Sequence, residues 1–138
     1  MCKLLLRGQW STYLLAAILC LNHGWVSAGE LDGKVFVGPI GVEGSTVEEE
    51  IDEVTFNNGE LYSASCAPWG FKAGSYTTIS TSEGLAFKAT AMSPNDGKIV
   101  WEGVVKGDDI EAVFTWTKER WWWSDARQVK WYKGKLKP

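Results

Sequence analysis

From Gly29 onward, turn-forming residues interrupt the chain at intervals of roughly eight to twelve positions, and apolar and polar residues alternate between them. A period of two puts successive side chains on opposite faces of an extended strand, whereas a helix needs apolar residues three and four apart. The pattern predicts eight strands, at residues 34–40, 51–56, 60–65, 75–81, 85–92, 98–106, 110–118 and 129–137. Four connections carry hairpin chemistry. Asn57-Asn58-Gly59 supplies the positive φ angles of a tight primed turn, and Ser82-Glu83-Gly84 is a short loop ending in glycine. Pro94-Asn95-Asp96-Gly97 suits a type I turn with a glycine bulge, and Gly107-Asp108-Asp109 is a further tight reversal. Strands joined this way pair antiparallel. The expected fold is therefore all-β: an eight-stranded up-and-down meander closing into a small barrel that leaves no strand edge free.

The alternation also assigns faces. Leu85, Phe87, Ala89 and Ala91 share one side of their strand, Ile99, Trp101, Gly103 and Val105 one side of the next, and Ile110, Ala112, Phe114 and Trp116 one side of the third. These sets point inward, and Lys88, Thr90, Glu102, Glu111, Thr115 and Thr117 face water. On the last strand, Tyr132, Gly134 and Leu136 are assigned inward because the opposite set holds Lys133 and Lys135. Two segments break the rhythm. Residues 45–50 read either as one helical turn capped by Thr46 or as an acidic loop. Residues 66–74 contain Pro68, Gly70 and Gly74 around Trp69 and Phe71, which prevents a regular strand.

Ahead of Gly29 lies a different kind of segment. Lys3 and Arg7 precede the apolar run Tyr13-Leu14-Leu15-Ala16-Ala17-Ile18-Leu19-Cys20-Leu21, and Val26-Ser27-Ala28 offers small residues where a signal peptidase reads them. Residues 1–28 are expected to form a signal-peptide helix cleaved after Ala28, leaving residues 29–138 as one exported domain, periplasmic or extracellular. A lipoprotein reading built on Cys20 is the alternative, although Leu19 stands where a small residue is expected. No second apolar stretch has membrane-spanning length, so no stable membrane span is expected.

Cleavage would change the available chemistry. Cys2, Cys20 and His23, the only histidine, would leave with the leader. Residues 29–138 then hold a single thiol, Cys66, and no imidazole, which excludes Ser-His-Asp and Cys-His catalysis and zinc sites built on His and Cys. A lone thiol cannot form a disulfide within the chain. Charge is uneven: residues 29–60 hold nine acids against Lys34, and residues 118–138 hold seven bases against Glu119 and Asp125. The first and last strands of a closed barrel are neighbours, so this opposition reads as attraction at closure. The alternative, a basic patch for anionic partners, sits poorly with the domain's net acidity, and no nucleic-acid partner is expected.

An eight-strand meander with Trp-rich final hairpins resembles the calycin-like barrels, the group of lipocalins, avidins and fatty-acid-binding proteins. The stretch Trp101-Glu102-Gly103-Val104-Val105-Lys106-Gly107-Asp108-Asp109-Ile110, followed by Phe114-Thr115-Trp116, looks like small, uncharacterised exported bacterial proteins of that shape. Two departures limit what carries over. The Gly-x-Trp of the first lipocalin strand is missing, since Gly33-Lys34-Val35 holds no Trp, and no two-helix lid follows the first strand. The resemblance implies a topology and no binding residues.

Candidate sites follow from the residues themselves. Trp121-Trp122-Trp123, with Arg120, Lys118 and Arg127 nearby, either plugs the barrel mouth or forms an exposed aromatic rim for a sugar, a lipid headgroup region or a protein. Inside, Ala89, Ala91, Gly103, Ala112 and Gly134 alternate with large rings, which either fill the barrel or leave a cavity at one end. The candidate ligand-binding set is therefore Trp69, Trp101, Trp116, Trp121, Trp122, Trp123 and Tyr132. Cys66 is expected to be a buried, inert thiol, with an intermolecular disulfide or a reactive thiol as its rivals. The acids at 48–53 lack the turn-forming glycine of a calcium loop, so no metal, cofactor or catalytic residue is assigned. The expected function is binding of a small apolar or amphipathic ligand at the mouth or rim. The alternative is a filled barrel that docks a protein partner or its own twin, and an enzyme using carboxylates or tyrosine ranks third.

Overall fold

A computed structural model describes residues 29–138; the expected leader, and with it the helix and the cleavage site assigned there, lies outside the described residues. The chain forms eight strands: β1 (Val35–Val42), β2 (Glu50–Asn57), β3 (Glu60–Ser63), β4 (Gly74–Thr81), β5 (Gly84–Ser93), β6 (Gly97–Lys106), β7 (Asp109–Lys118) and β8 (Ala126–Leu136). Each pairs antiparallel with the next, and β8 returns to β1, closing the barrel in the order β1-β2-β3-β4-β5-β6-β7-β8. All-β architecture, strand number, connectivity and closure follow the sequence expectation.

The turn chemistry acts as anticipated. Asn58 is the one described non-glycine residue with positive φ (52°), and Gly59 follows at 74°, which is the geometry of the primed hairpin turn. Strand ends shift by one to three residues from the sequence reading, and three differences have a local cause. β3 stops at Ser63 because Ser65 and Cys66 turn away into a short 3₁₀ helix, Ala67–Trp69, ended by Gly70 at φ 82°. Residues 45–49 form no helical turn; Trp131, on the outer face of β8, donates its indole N–H to the Ser45 carbonyl (2.7 Å) and lies over Gly41, where a Cβ would collide with the ring. β8 begins at Ala126 rather than Val129, because its ladder with β7 runs on to Lys118.

Because the strands alternate in direction, every odd-to-even connection lies at one end of the barrel, here the mouth, and every even-to-odd turn at the other. The closed end is filled by Phe36, Phe56, Tyr76 and Phe87, packed edge to face at centroid distances of 5.0–6.1 Å. Leu31, also buried, plugs it from below. Its backbone N–H donates to the Tyr76 hydroxyl (3.0 Å), which donates to Asp32 (2.6 Å), and Asp32 accepts the Gly59 N–H. Above this layer Trp101, Phe114 and Tyr132 form a second aromatic group. The inward assignments on β5 to β8 hold, Leu85, Gly103, Trp116 and Leu136 being half-buried and the rest buried.

The opposed charges meet at the seam. Lys130 bridges to Glu49 (2.6 Å) and Lys137 to Glu53 (3.1 Å), tying β8 to the β1–β2 loop and to β2. Such partly exposed pairs each contribute about 0–1 kcal/mol, so they help set register more than they stabilise the fold.

A candidate ligand cavity at the barrel mouth

At the mouth the interior is not filled. A cavity of about 770 Å³ opens there, above the Trp101–Phe114–Tyr132 layer. Its walls are inward residues that the strand period already placed: Ile99 near the start of β6, and Phe114 and Trp116 near the end of β7. Phe71, buried in the β3–β4 connection, completes the apolar lining. The lip is charged, with Glu50 at the start of β2, Lys118 at the end of β7, Arg120 beyond it and Lys130 on β8.

Three local devices hold this lip. Asp52, one inward position deeper on β2 than Glu50, is only 1% exposed, yet its carboxylate accepts the Ser63 hydroxyl (2.6 Å) and the Ser65 N–H (2.9 Å). The Ser63 oxygen in turn accepts the Cys66 N–H (3.3 Å), so a buried charge fixes the start of the β3–β4 connection. That connection is pinned at its far side, where the Ser93 hydroxyl donates to the Trp69 carbonyl (2.8 Å). Across the mouth, Trp116 donates its indole N–H to the Asp96 carbonyl (2.6 Å) and Lys118 bridges to the Asp96 carboxylate (3.2 Å). The β5–β6 turn is thereby bound to β7.

The candidate residues divide into three groups. Trp116, Trp69, Trp122 and Cys66 line the cavity. Trp101 and Tyr132 lie outside this lining and are buried core rings beneath the cavity. Trp121 and Trp123 lie outside the lining on the β7–β8 loop. No member of the Trp triplet plugs the barrel: Trp121, Trp122 and Trp123 are 90%, 65% and 70% exposed, with the first two rings edge to face at 5.2 Å. The Cys66 thiol is buried, and burial pushes its pKa up, reinforced by the Asp52 and Glu50 charges and opposed by the Ser63 hydrogen bond. A buried, neutral thiol is a poor nucleophile.

Gln128 and Lys130 also line the cavity and were not anticipated. Both continue the even-numbered inward set of Tyr132 and Gly134: Gln128 precedes the strand expected at 129–137, whereas Lys130 lies within it and its charge reads as an outward position. Among the described residues no group of three or more His, Cys, Asp or Glu is placed to hold a metal ion, and no helix is long and apolar enough to cross a membrane.

Comparison of the chain with known protein families, with curated proteins and with solved structures finds no match.

Proposed function

We propose that this chain is an exported, calycin-like, non-enzymatic binding protein that takes a small apolar or amphipathic ligand in the mouth of its barrel. The cavity carries the reading. Its volume of about 770 Å³ falls in the range of small-molecule sites, roughly 300–1,000 Å³. Apolar walls of Ile99, Phe71, Phe114 and Trp116 beneath a charged lip suit a ligand with one apolar and one polar end. The filled core beneath confines it to the mouth. Export rests on the leader-like residues 1–28, and the calycin-like assignment on the up-and-down closure.

The test is titration with the apolar fluorophore 1-anilinonaphthalene-8-sulfonate, read by its own emission and by quenching of tryptophan. Gln128 is an exposed, inward-register residue at the lip, so Gln128→Trp would fill the opening without disturbing the core. Saturable binding that Gln128→Trp weakens at least about tenfold is the expected result, ten-fold corresponding to ~1.4 kcal/mol of lost contact. A wild-type protein that neither binds the probe nor carries a small molecule in native mass spectra would refute the proposal. That outcome would favour the second reading, a structural protein whose exposed Trp121–Trp123 loop docks another protein.

A further inference from the structure

We propose that the mouth end of the barrel docks on the interfacial zone of an electrically neutral, zwitterionic phospholipid bilayer through the indoles of Trp69, Trp121, Trp122 and Trp123. The inference rests on the reading of the cavity above and names the surface from which an amphipathic ligand would enter it.

The two ends of the barrel are chemically unlike. At the mouth the four indoles are 65–90% exposed, joined by the exposed side chains of Val47 and Met92. At the other end the turns consist of Asn58-Gly59, Ser82-Glu83 and Gly107-Asp108, none of them apolar. Four indoles exposed to this degree present on the order of 600 Å² of ring surface in all, divided between two connections.

Their arrangement indicates the kind of partner. Trp69 stands on the β3–β4 connection and the triplet on the β7–β8 connection, four strands apart in a ring of eight. The indoles therefore stand on opposite sides of an opening rather than on one flat face. Rings with an apolar body and a polar N–H settle at the headgroup level of a membrane, and separate loop tips can enter it independently. A ligand tail leaving the bilayer between them would reach the cavity without crossing water.

Charge selects among surfaces. The mouth loops (residues 43–49, 64–73, 94–96 and 119–125) and the strand ends beside them carry Glu43, Glu48, Glu49, Glu50, Asp96, Glu119 and Asp125 against Lys72, Lys118, Arg120, Arg127 and Lys130, with Asp96 paired to Lys118 and Glu49 to Lys130, so the two signs nearly balance. A rim of interspersed and partly paired charges offers neither an anionic nor a cationic surface a net attraction, whereas a zwitterionic bilayer asks for none and receives the indoles alone.

The experiment is co-sedimentation with phosphatidylcholine vesicles, paired with the tryptophan emission shift. Wild type is expected to sediment with the vesicles and shift to the blue. The Trp121→Ser/Trp122→Ser/Trp123→Ser variant should bind at least about tenfold more weakly, since affinity follows the apolar area inserted. Its thermal midpoint should match wild type, because the three rings are exposed. Replacing part of the lipid with phosphatidylglycerol should not strengthen binding at low salt, because the charges of the mouth nearly balance. Gln128→Trp leaves the loops intact, so vesicle binding that survives its loss of fluorophore binding separates docking from the cavity. Absence of wild-type binding, binding indifferent to the triple substitution, or binding strengthened by phosphatidylglycerol would each overturn the proposal. So would a dimer dispersed by the triple substitution in a protein that ignores vesicles, which would assign the surface to a second copy.

Discussion

Tyr132→Phe should make this protein more stable. Tyr132 is 0% exposed, and among the buried side-chain polar atoms of the described residues its hydroxyl is the one without a hydrogen-bond partner. A buried polar group left unpaired costs about 1–3 kcal/mol relative to water. Phenylalanine removes that cost and keeps the ring contacts with Trp101. The oxygen leaves little space behind, because it rests against Gly134, where a Cβ would come within 2.6 Å of it. A void of roughly 10 Å³ costs about 0.2 kcal/mol on the scale measured for buried cavities. The balance favours Tyr132→Phe by about 1–2 kcal/mol. Burial, with the charges of Asp52 and Glu53, also pushes the Tyr132 pKa up, so the phenol stays neutral at neutral pH and no charge is lost in the substitution. Urea denaturation measures the effect as a higher midpoint at unchanged slope. A loss of 1 kcal/mol or more, on the scale of a net hydrogen bond, would show that the hydroxyl is satisfied and the reasoning wrong.

Two further predictions concern buried polar groups that do have partners. Asp52→Ala strands the Ser63 hydroxyl and the Ser65 N–H and should cost about 2–4 kcal/mol in the same assay, with Asp52→Asn losing less because it keeps an acceptor. Tyr76 has its pKa pushed up to about 12 by burial and by its hydrogen bond to Asp32. An unfolded tyrosine ionises near 10, so Tyr76 contributes its full stabilisation below that pH and loses it as pH rises to about 12, on the order of 2–3 kcal/mol in all. Unfolding followed across this window by tyrosinate absorbance should show Tyr76→Phe declining less steeply than wild type, from a starting stability lowered by the orphaned Leu31 N–H.

The parts of this molecule that were legible in the sequence are those governed by local rules. Alternation on β5 to β7 identified the inward rings, and Asn58-Gly59 fixed a turn, because both depend on residues a few positions apart. Asp52 was opaque for the opposite reason. Glu48, Glu49, Glu50 and Glu53 around it suggest a solvated face, and only the approach of Ser63 at the end of β3 and of Ser65 just beyond it makes its burial tolerable. The cavity was half legible: the period gave Ile99, Phe114 and Trp116, but where filling stops depends on how the connections arch over the mouth. Trp121–Trp123 illustrates this. A plug and an exposed rim fit the three letters equally well, and the turn between β7 and β8 decides for the rim by leaving all three rings in water.

Closure of β1 on β8 sets the order in which the chain can become whole. Phe36 is paired with Leu136, and the Lys137 N–H donates to the Val35 carbonyl, so the earliest strand waits for the latest before its second edge is covered. Until then a growing polypeptide exposes an unpaired ribbon edge on which other chains can template. Contacts spanning such a distance form slowly, so that edge stays open until the C-terminal strand has been made.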